Sequence, residues 1–491
     1  MADNPYSPVE DQQEITLLDT VFEAHKHSDV NFLFPSAKQR IEDIRKLKKA
    51  VVFYQQALLD AMKADFGHRS EDDAKFGDIL TTVLNANYAI KHIKRWMKAS
   101  KRHIHVLFQP ASAQVQYQPL GVVGIITPWN YPVFLALGPL ITALSAGNTA
   151  IIKMSEFTPA TNKVMKKLIA SVFQANQVSV ICGGASVAAH FTTLKFDHIV
   201  FTGSTAVGRK VMQSAAQNLT PVTLELGGKS PVIIAPDIDI KTAVSRFLMA
   251  KTLNSGQTCV APDYLFCQQE KIPTLVEELK KQFAQMYPTV FNNVDYGCII
   301  NNAQYQRLTG LVKDAQQKGA VTLPLSDETI NDGEVVNNEE NVDDTARKIP
   351  LTLILDTNED MLVMQDEIFG PLLPIVPYKN MDEVIRYINQ RPTPLALYLM
   401  SFDKLTQTTV LKSTKAGGVC INEAAFHVAQ DDLPFGGVGE SGMGHYHGQE
   451  GFLVLSKAKP VFTRGKFSLG SLIFPPYNKR IHQLIYKLFI R

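Results

Sequence analysis

Hydrophobic residues follow a helical spacing through roughly the first hundred positions of the chain. From about Gln12 to Lys101, apolar residues recur every three or four positions with charged residues between them, as in IEDIRKLKKAVVFYQQALLDAMKADFG. The next stretch, VQYQPLGVVGIITP, first alternates and then becomes continuously apolar, which is typical of a strand followed by a buried strand. The pattern therefore predicts a helical N-terminal layer that leads into a β-sheet.

Short apolar runs then alternate with helical patterns. The stretches NTAIIKMSE, VSVICGG and FDHIVFTGS are predicted strands, and TNKVMKKLIASVF and TAVGRKVMQSAAQNL are predicted helices. A further predicted strand, PVTLELGG, precedes the helical run KTAVSRFLMAK, near which a second domain begins. Because strands that alternate with helices form parallel sheets, the fold class is α/β.

Two stretches bear on contact with membranes. Prolines and asparagines interrupt the longest apolar stretch, and the remaining run Val133–Gly147 is shorter than the roughly 20 residues that span a bilayer, so we expect a buried core helix. The C-terminal RIHQLIYKLFIR has an apolar helical face with basic residues elsewhere, formed by Ile481, Leu484, Ile485, Leu488 and Phe489. This face either packs on the protein itself or a second subunit, or makes peripheral contact with a membrane.

The segment Pro324–Lys348 contains eight acidic and two basic residues and lacks periodicity. We expect a surface loop, and a charge run of this kind also allows contact with a partner.

Composition restricts the class of protein further. A chain of 491 residues with 45% hydrophobic content can form two or three packed domains. Its 49 basic and 47 acidic residues leave a net charge of +2, which gives no electrostatic signature for nucleic acid. The five cysteines are scattered without disulfide or metal-ligand spacing, and the polar N-terminus lacks the pattern of a secretory signal. We therefore expect a cytoplasmic protein without a metal site.

The stretch NSGQTCVAPDY places Cys259 among small, turn-prone residues directly after a helical run. A sharp turn there would present its Sγ atom to a cleft, where backbone N–H groups stabilise a thiolate or an oxyanion. The alternative is that Cys259 is a small hydrophobic core residue.

Two further residues have chemistry that could serve such a thiol. Glu225 lies in the apolar strand LELGG, where burial would raise its pKa towards that of a general base, unless it forms a salt bridge with Lys229 or Arg209. Asn130 lies between two prolines in PWNYP, where its amide could donate to an oxyanion or simply support a turn.

The motifs PWNYP, KMSE, FTGSTAVG, LELGGKSP, NSGQTCVAPDY, EIFGP and PFGGVGESGMG follow one another in this order. This order resembles the aldehyde dehydrogenase superfamily from about residue 15 to 465. NSGQTCVAPDY and GESGMGHYHG are similar to the class 3 branch, and ADFGHRS with FTGSTAVGRKVMQSAAQNLTPVTLELGGKSP is similar to coniferyl aldehyde dehydrogenases within it.

The resemblance implies the aldehyde dehydrogenase fold and its domains. These are a Rossmann-like NAD(P)-binding domain at 1–106 and 120–226, with a return segment at about 427–450, and an α/β catalytic domain at 227–426. A small β oligomerisation flap and C-terminal segment occupy 107–119 and 451–491, in which SAQVQYQPLG and KAKPVFTRG would supply the flap. The branch also implies a homodimer.

The resemblance gives the three candidate residues catalytic roles. Cys259 would be the nucleophile, Glu225 the general base, and Asn130 the oxyanion donor together with the Cys259 backbone N–H. The thiolate adds to an aldehyde, hydride leaves to a nicotinamide, and water activated by Glu225 hydrolyses the thioester. The alternatives are an acylating enzyme that uses coenzyme A, which Glu225 argues against, a cofactor-independent cysteine hydrolase, and a non-catalytic scaffold.

The cofactor residues also follow from the resemblance. They are Lys153 and Glu156 at the adenosine ribose, Ser204 at the diphosphate, and Glu367 and Phe369 at the nicotinamide. The residues themselves add Gly203 and Gly208, which lie around a strand-to-helix turn in FTGSTAVG whose helix N-terminus can face a pyrophosphate, although the turn is not GxGxxG. A carboxylate at Glu156 repels a 2′-phosphate, which favours NAD, although the branch often accepts NADP as well.

Two positions depart from the family pattern. Met154 replaces a common proline, and Met249 replaces a tryptophan that class 3 members often have in the substrate pocket. The second change weakens the expectation of coniferyl aldehyde over medium- or long-chain aliphatic aldehydes. The remaining candidates for the pocket lining, each of which could instead be a core residue, are Tyr131, Phe134, Phe426, Tyr446 and His447.

Overall fold

The computed structural model describes residues 5–27, 34–326, 328 and 347–490. The strands are β1 Ser100–Arg102, β2 Ala111–Pro119, β3 Val122–Ile126, β4 Thr149–Lys153, β5 Val178–Ile181, β6 His198–Thr202, β7 Val222–Glu225, β8 Pro231–Ile234, β9 Tyr264–Gln268, β10 Val321–Pro324, β11 Thr352–Leu355, β12 Leu372–Tyr378, β13 Ala396–Met400, β14 Gly418–Ile421, β15 Gly442–Met443 and β16 Ser456–Arg464. The α-helices are α1 Pro8–Lys26, α2 Ala37–Phe66, α3 Glu71–Ala74, α4 Thr81–Trp96, α5 Phe134–Ala146, α6 Pro159–Ala170, α7 Ala185–Thr193, α8 Thr205–Ala216, α9 Ile240–Thr252, α10 Ile272–Met286, α11 Asn302–Gln317, α12 Leu362–Gln365, α13 Met381–Asn389, α14 Lys404–Ser413, α15 Gly448–Val454 and α16 Arg480–Phe489.

The first sheet has the strand order β15-β7-β6-β3-β4-β5. All neighbours are parallel except β15, which pairs antiparallel with β7. Every residue of β3, β4, β5 and β6 is buried, as their continuous apolar runs predict. The order changes direction at β3, which creates the crevice where doubly wound sheets bind ligands.

The second sheet has the order β10-β11-β12-β9-β8-β13-β14, and only β10 is antiparallel to its neighbour. The chain enters this sheet directly from the first, because only 226–230 separate the end of β7 from the start of β8. The carboxyl end of β7 therefore lies near the amino end of β8, and the candidate site lies at this junction.

The third sheet, β1-β2-β16, contains the two segments predicted to form a flap. β2 and β16 pair antiparallel along nine residues, from Ser456 opposite Pro119 to Arg464 opposite Ala111. β1 lies within the segment 1–106 that we expect in the cofactor domain, and it pairs antiparallel with β2 of this sheet. A strand of three residues is too short to show an alternating pattern.

The helical elements follow the sequence pattern closely. Helices α1, α2 and α4 form the predicted N-terminal layer, and every residue of α5 is buried, in agreement with the predicted core helix. None of the helices within the described ranges is both long and apolar enough to cross a membrane.

The predicted acidic loop lies mainly at 327 and 329–346, outside the described residues. Its last two residues were expected on the surface, but both are buried. Arg347 donates to Ile299 O and Phe66 O, both at 3.0 Å, and Lys348 donates to Asn293 O at 2.6 Å. These hydrogen bonds compensate the burial of the two cations.

Candidate active site

The turn before Cys259 has an unusual backbone. Asn254, Ser255 and Gly256 all have positive φ angles, of 49°, 53° and 74°. A Cβ atom at Gly256 would lie 2.4 Å from the carbonyl oxygen of Gly370, so only glycine fits there. Such a strained turn persists only where the surroundings enforce it.

The side chain of Gln257 provides much of that enforcement. It is fully buried, and its Nε2 atom donates to Asn254 O at 2.9 Å and to Cys298 O at 3.1 Å. Its Oε1 atom accepts from the backbone N–H of Ile300 at 3.0 Å. Gln257 therefore fixes the turn to the segment 298–300.

Asn130 lies directly beside this turn. Its Nδ2 atom donates to Gln257 O at 3.0 Å, and its own carbonyl accepts from Asn254 Nδ2 at 3.0 Å. A carboxamide has two N–H groups, so one holds Asn130 in place and the second can donate to an oxyanion. A simple turn asparagine would not explain these two hydrogen bonds, which join Asn130 to residues 124 and 127 positions away in the chain.

Glu225 ends β7 with its carboxyl group buried, and neither oxygen has a hydrogen-bond partner among the described residues. Burial raises its pKa well above the ordinary value. Both proposed salt-bridge partners are engaged elsewhere, Lys229 with Asp263 and Arg209 with Glu440. The salt-bridge alternative is therefore wrong, and a buried carboxyl without a partner needs another explanation.

The Cys259 side chain is half-buried. Burial raises the pKa of its thiol to about 12, and the nearby carboxylates of Glu367 and Glu225 act in the same direction. The backbone N–H groups of Cys259 and Val260 lower it, which is the stabilising field that the sequence suggested. Three of the predicted site residues, Cys259, Glu225 and Glu367, thus lie close enough together to influence one another.

Glu367 packs against the LELGG segment. A Cβ atom at Gly227 would lie within 2.2 Å of both carboxylate oxygens, and the backbone N–H of Gly228 donates to the carboxylate. Burial raises the pKa of Glu367 to about 7, and Asp263 adds to the effect. Gly227 therefore leaves the space that this carboxylate occupies, and Gly228 supplies a hydrogen bond to it.

Two cations hold the loop that carries Glu367. Lys229 Nζ contacts Asp263 and donates to Val363 O at 2.8 Å and Asp366 O at 2.9 Å. Arg307 donates to Ile368 O at 2.7 Å.

The neighbouring residue in that loop, Phe369, has a φ of 48° and packs edge-on against Trp129, with ring centroids 5.3 Å apart. This contact joins the PWNYP and EIFGP segments.

A buried ionic cluster lies behind the PWNYP segment. Arg69 Nη2 is 3.1 Å from Asp78 and 3.8 Å from Asp73, and its guanidinium stacks on the ring of Tyr131 at 4.9 Å. Asp73 accepts from the backbone N–H of Asn254 at 2.6 Å. The cluster therefore connects α3 and the π-helical turn that follows it to the strained turn before Cys259.

The predicted cofactor residues follow strand ends at the crevice of the first sheet. Lys153 ends β4 and donates to Met154 O at 2.7 Å, and Glu156 lies half-buried three residues later. Burial lowers the pKa of Lys153, and Glu156 opposes this shift, so the two side chains interact.

Ser204 follows β6 and caps the N-terminus of α8, where backbone N–H groups favour a phosphate. This arrangement at the crevice fits a dinucleotide.

Gly203 and Gly208 have a packing reason for being glycine. A Cβ atom at Gly203 would lie 2.6 Å from the Phe201 ring, and one at Gly208 would lie 2.6 Å from Leu226 Cδ2. Their missing side chains therefore allow α8 to approach the sheet closely, which is the role of the third glycine in dinucleotide-binding turns.

The candidate pocket residues divide into two groups. Met249 and Phe426 are 40% and 48% exposed, so both are open to solvent. Tyr131 is buried, with its hydroxyl 3.1 Å from Thr258 Oγ1. Tyr446 and His447 are only 1% exposed, and His447 Nε2 bonds Leu433 O at 2.9 Å.

Phe134 is buried in a small cluster with Tyr131. Among these buried residues, Tyr446 lies near the site. Burial is the main cause of its raised pKa, and the nearby charges of Glu225 and Cys259 raise the pKa further.

Sequence reasoning missed several residues that hold the site. Gln257 and Asp263 both lie inside the cysteine motif, yet their roles depend on partners at positions 298, 300 and 368 that no local pattern indicates. The cluster of Arg69, Asp73 and Asp78 could have been suspected, since charged residues rarely occur at core positions without partners.

Comparison with known proteins agrees with the motif order. Residues 19–461 match the profile of the Aldehyde dehydrogenase family. A Pseudomonas aeruginosa protein named "Probable coniferyl aldehyde dehydrogenase" is 48% identical over 480 residues, which are 98% of each chain.

Solved structures agree as well. Staphylococcus aureus AldH in a substrate-bound state has a TM-score of 0.85 at 37% identity, covering 98% of this chain and 99% of that one. A Mycobacterium tuberculosis aldehyde dehydrogenase complexed with NAD+ has a TM-score of 0.81 at 26% identity, covering 93% and 92%. The predicted family and fold class are confirmed: this chain belongs to the aldehyde dehydrogenase family and is an oxidoreductase that acts on aldehydes.

Proposed function

We propose that the protein oxidises an aldehyde to the carboxylic acid through a thioester on Cys259, which water then hydrolyses. The observation that carries this proposal is the buried carboxyl of Glu225, which has no partner among the described residues and raises the pKa of the nearby Cys259 thiol. A carboxyl with a raised pKa is a suitable proton acceptor near neutrality.

In the proposed reaction, Cys259 Sγ forms a bond to the carbonyl carbon and its proton passes to Glu225. The carbonyl oxygen becomes an oxyanion, which accepts from the free N–H of Asn130 and from the backbone N–H of Cys259. A bound nicotinamide would accept the hydride that leaves this carbon. Glu225, once deprotonated again, removes a proton from water as it attacks the thioester, and Cys259 is released.

The residues that would hold the dinucleotide are those at the strand ends of the first sheet, Lys153, Glu156 and Ser204, with Glu367 and Phe369 from the facing sheet. The NAD+ complex of the Mycobacterium tuberculosis relative supports nicotinamide use. We further propose NAD as the preferred form, because the Glu156 carboxylate would repel a 2′-phosphate.

The proposal is tested by rapid-mixing measurements of NADH formation. Cys259→Ala should abolish NADH formation, whereas Cys420→Ala, a matched change of another thiol, should preserve it. Glu225→Gln should give a burst of about one NADH per site that forms more slowly than in the wild type, because the Cys259 thiol has lost its proton acceptor, and no steady turnover should follow; Glu440→Gln serves as its exposed control. A near-normal linear time course in Glu225→Gln would refute the base role.

The same assay separates the rival chemistries. An acylating enzyme would show steady turnover only with coenzyme A present. A cofactor-independent hydrolase would turn over esters at a rate that removal of nucleotide does not change, and a scaffold protein would show neither activity.

We propose a cinnamyl-type aromatic aldehyde, such as coniferyl aldehyde, as the substrate, supported by the 48% identical Pseudomonas aeruginosa relative and its name. A long aliphatic aldehyde is the second candidate, favoured by the exposed thioether of Met249, which replaces an aromatic wall with an adaptable one. A panel of cinnamyl, benzyl and C6 to C16 aldehydes, each with NAD and with NADP, ranks these candidates by kcat/KM.

A further inference from the structure

Arg69 is a buried cation that takes no part in the proposed reaction. It lies two residues before α3, and its side chain is 1% exposed. Its guanidinium forms ion pairs with Asp73 of α3 at 3.8 Å and with Asp78 of the π-helical turn Lys75–Leu80 at 3.1 Å. Nε and Nη2 make no hydrogen bond with the described residues, so the cluster lacks the geometry by which a buried ion pair stabilises a fold. Such a group needs an explanation other than stability.

Asp78 connects Arg69 to the segment of Asn130. Its Oδ1 atom accepts from the backbone N–H groups of Val133 and Phe134, at 3.0 and 2.9 Å. These two residues lie at the N-terminus of α5, directly after PWNYP. A carboxylate that accepts from the first N–H groups of a helix fixes where that helix begins. Asp78 therefore holds the segment of the candidate oxyanion donor, and its other oxygen faces Arg69.

Asp73 connects Arg69 to the turn before the nucleophile in the same way. One of its carboxylate oxygens accepts from the backbone N–H of Asn254 at 2.6 Å, and the other faces Arg69. Asn254 is the first of the residues with positive φ in the strained turn that leads to Cys259. The same cation therefore acts on both segments that form the candidate site.

The ring of Tyr131 gives Arg69 a third connection to the site. The guanidinium stacks on this ring at 4.9 Å, and the tyrosine hydroxyl is 3.1 Å from Thr258 Oγ1. Thr258 directly precedes Cys259. A Cβ atom at Gly77 would lie 2.3 Å from the ring, so glycine at this position leaves the space that the ring occupies. Arg69 thus supports the ring that contacts the residue beside the nucleophile.

The backbone around the cluster also favours a functional role. Lys75–Leu80 forms a π-helical turn, a conformation that is rare overall and frequent at functional sites. This turn carries both Asp78, which faces Arg69, and Gly77, which makes room for the ring of Tyr131. The unusual backbone and the buried cation therefore support the same contacts.

We propose that Arg69 is a positioning residue, which sets the distance between the nucleophile Cys259 and the oxyanion donor Asn130. This inference rests on the proposed function. The two donors to the oxyanion lie on segments that are far apart in the chain, so other groups must hold these segments in register. A displacement of about 1 Å in such a site can cost about 100-fold in rate. Arg69 itself acts only through the two carboxylates and the tyrosine ring.

The test compares Arg69→Met with Arg40→Met by rapid mixing, well below the unfolding midpoint of each variant. Arg40 is a matched control, because it is also buried and holds the other end of α5, where its Nη1 atom donates to Ser145 O at 2.9 Å. We expect the NADH burst of Arg69→Met to form about 100-fold more slowly, with half-saturating aldehyde and NAD concentrations within about threefold of the wild type. Arg40→Met should form its burst at the wild-type rate. A loss of maximal rate without a loss of binding is not the effect of general destabilisation.

Arg69→Lys keeps the experiment decisive if Arg69→Met does not fold. Lysine retains the charge, but its compact ammonium cannot contact both carboxylates and stack on Tyr131 at once, so its burst should be about tenfold slower than that of the wild type. A folded Arg69 variant of either kind that keeps the wild-type burst rate overturns the proposal. An equal loss in Arg40→Met also overturns it, because the effect then follows from stability.

Failure of the proposed function gives a different result. A wild-type protein that forms no NADH burst would refute the proposed function and the role of Arg69 together. A normal burst in the wild type, its loss in Cys259→Ala and an unchanged burst in the Arg69 variants would refute the positioning role alone.

Discussion

Replacement of Gln257 by alanine should destabilise the protein far more than an average substitution. The change removes three buried hydrogen bonds, those to Asn254 O and Cys298 O and that from the Ile300 N–H, while Asn254 O keeps the backbone N–H of residue 257 at 3.0 Å. Two lost hydrogen bonds cost about 0.5–1.5 kcal/mol each and an unsatisfied Ile300 N–H costs about 1–3 kcal/mol, so the loss should be about 2–6 kcal/mol. Urea unfolding followed by tryptophan fluorescence measures it, and Gln306→Ala on an exposed face of α11 is the control.

A companion variant isolates the hydrogen-bond donor. Gln257→Glu keeps the volume and the acceptor for Ile300, but places an oxygen against two carbonyl oxygens. Burial and these carbonyls would raise the folded-state pKa of the new carboxyl above its unfolded value of about 4.3. Stability should therefore decrease as pH rises between those two values, so the variant is less destabilised at pH 5 than at pH 8.

The turn that Gln257 supports also positions Asn130, whose amide donates to Gln257 O. Loss of one oxyanion donor costs roughly 100-fold or more in rate, so kcat/KM of folded Gln257→Ala should fall by about that factor. A loss of stability below about 1 kcal/mol together with normal kcat/KM would refute this account of the turn.

Two further predictions concern buried charges. Because burial raises the pKa of Glu225 and its base form is the deprotonated one, the rate of thioester hydrolysis should still rise with pH well above about 4.3, the ordinary pKa of a glutamate. A rate that has already levelled off near that pH in single-turnover assays would contradict this. Arg69→Met leaves the carboxylates of Asp73 and Asp78 buried without their cation and should cost about 3–5 kcal/mol. Burial already raises the pKa of Asp78 to about 6, so protonation should shrink this loss below pH 6; urea unfolding at pH 5 and pH 8 that shows equal losses would count against it.

The sequence by itself determined the elements and the chemistry of this protein. A strand that is buried on both faces shows a continuous apolar run, as in β3, β4 and β6. A helix that is buried on one face shows apolar residues every three or four positions, as in the N-terminal layer. Both patterns are local, so they can be recognised in the sequence alone. Motif order identified Cys259 as the candidate nucleophile, since the residue types needed for its chemistry recur in short, ordered segments.

Only the tertiary structure decided how these segments meet. From the sequence, Glu225 had two possible salt-bridge partners, Lys229 and Arg209. In the fold, Lys229 forms its ion pair with Asp263, and Arg209 forms its ion pair with Glu440. The fold also fixes Asn130 through Gln257, 127 positions away. Pairs of residues this far apart in the chain produce no periodic pattern in the sequence. The partner of each side chain depends on how the segments pack in three dimensions.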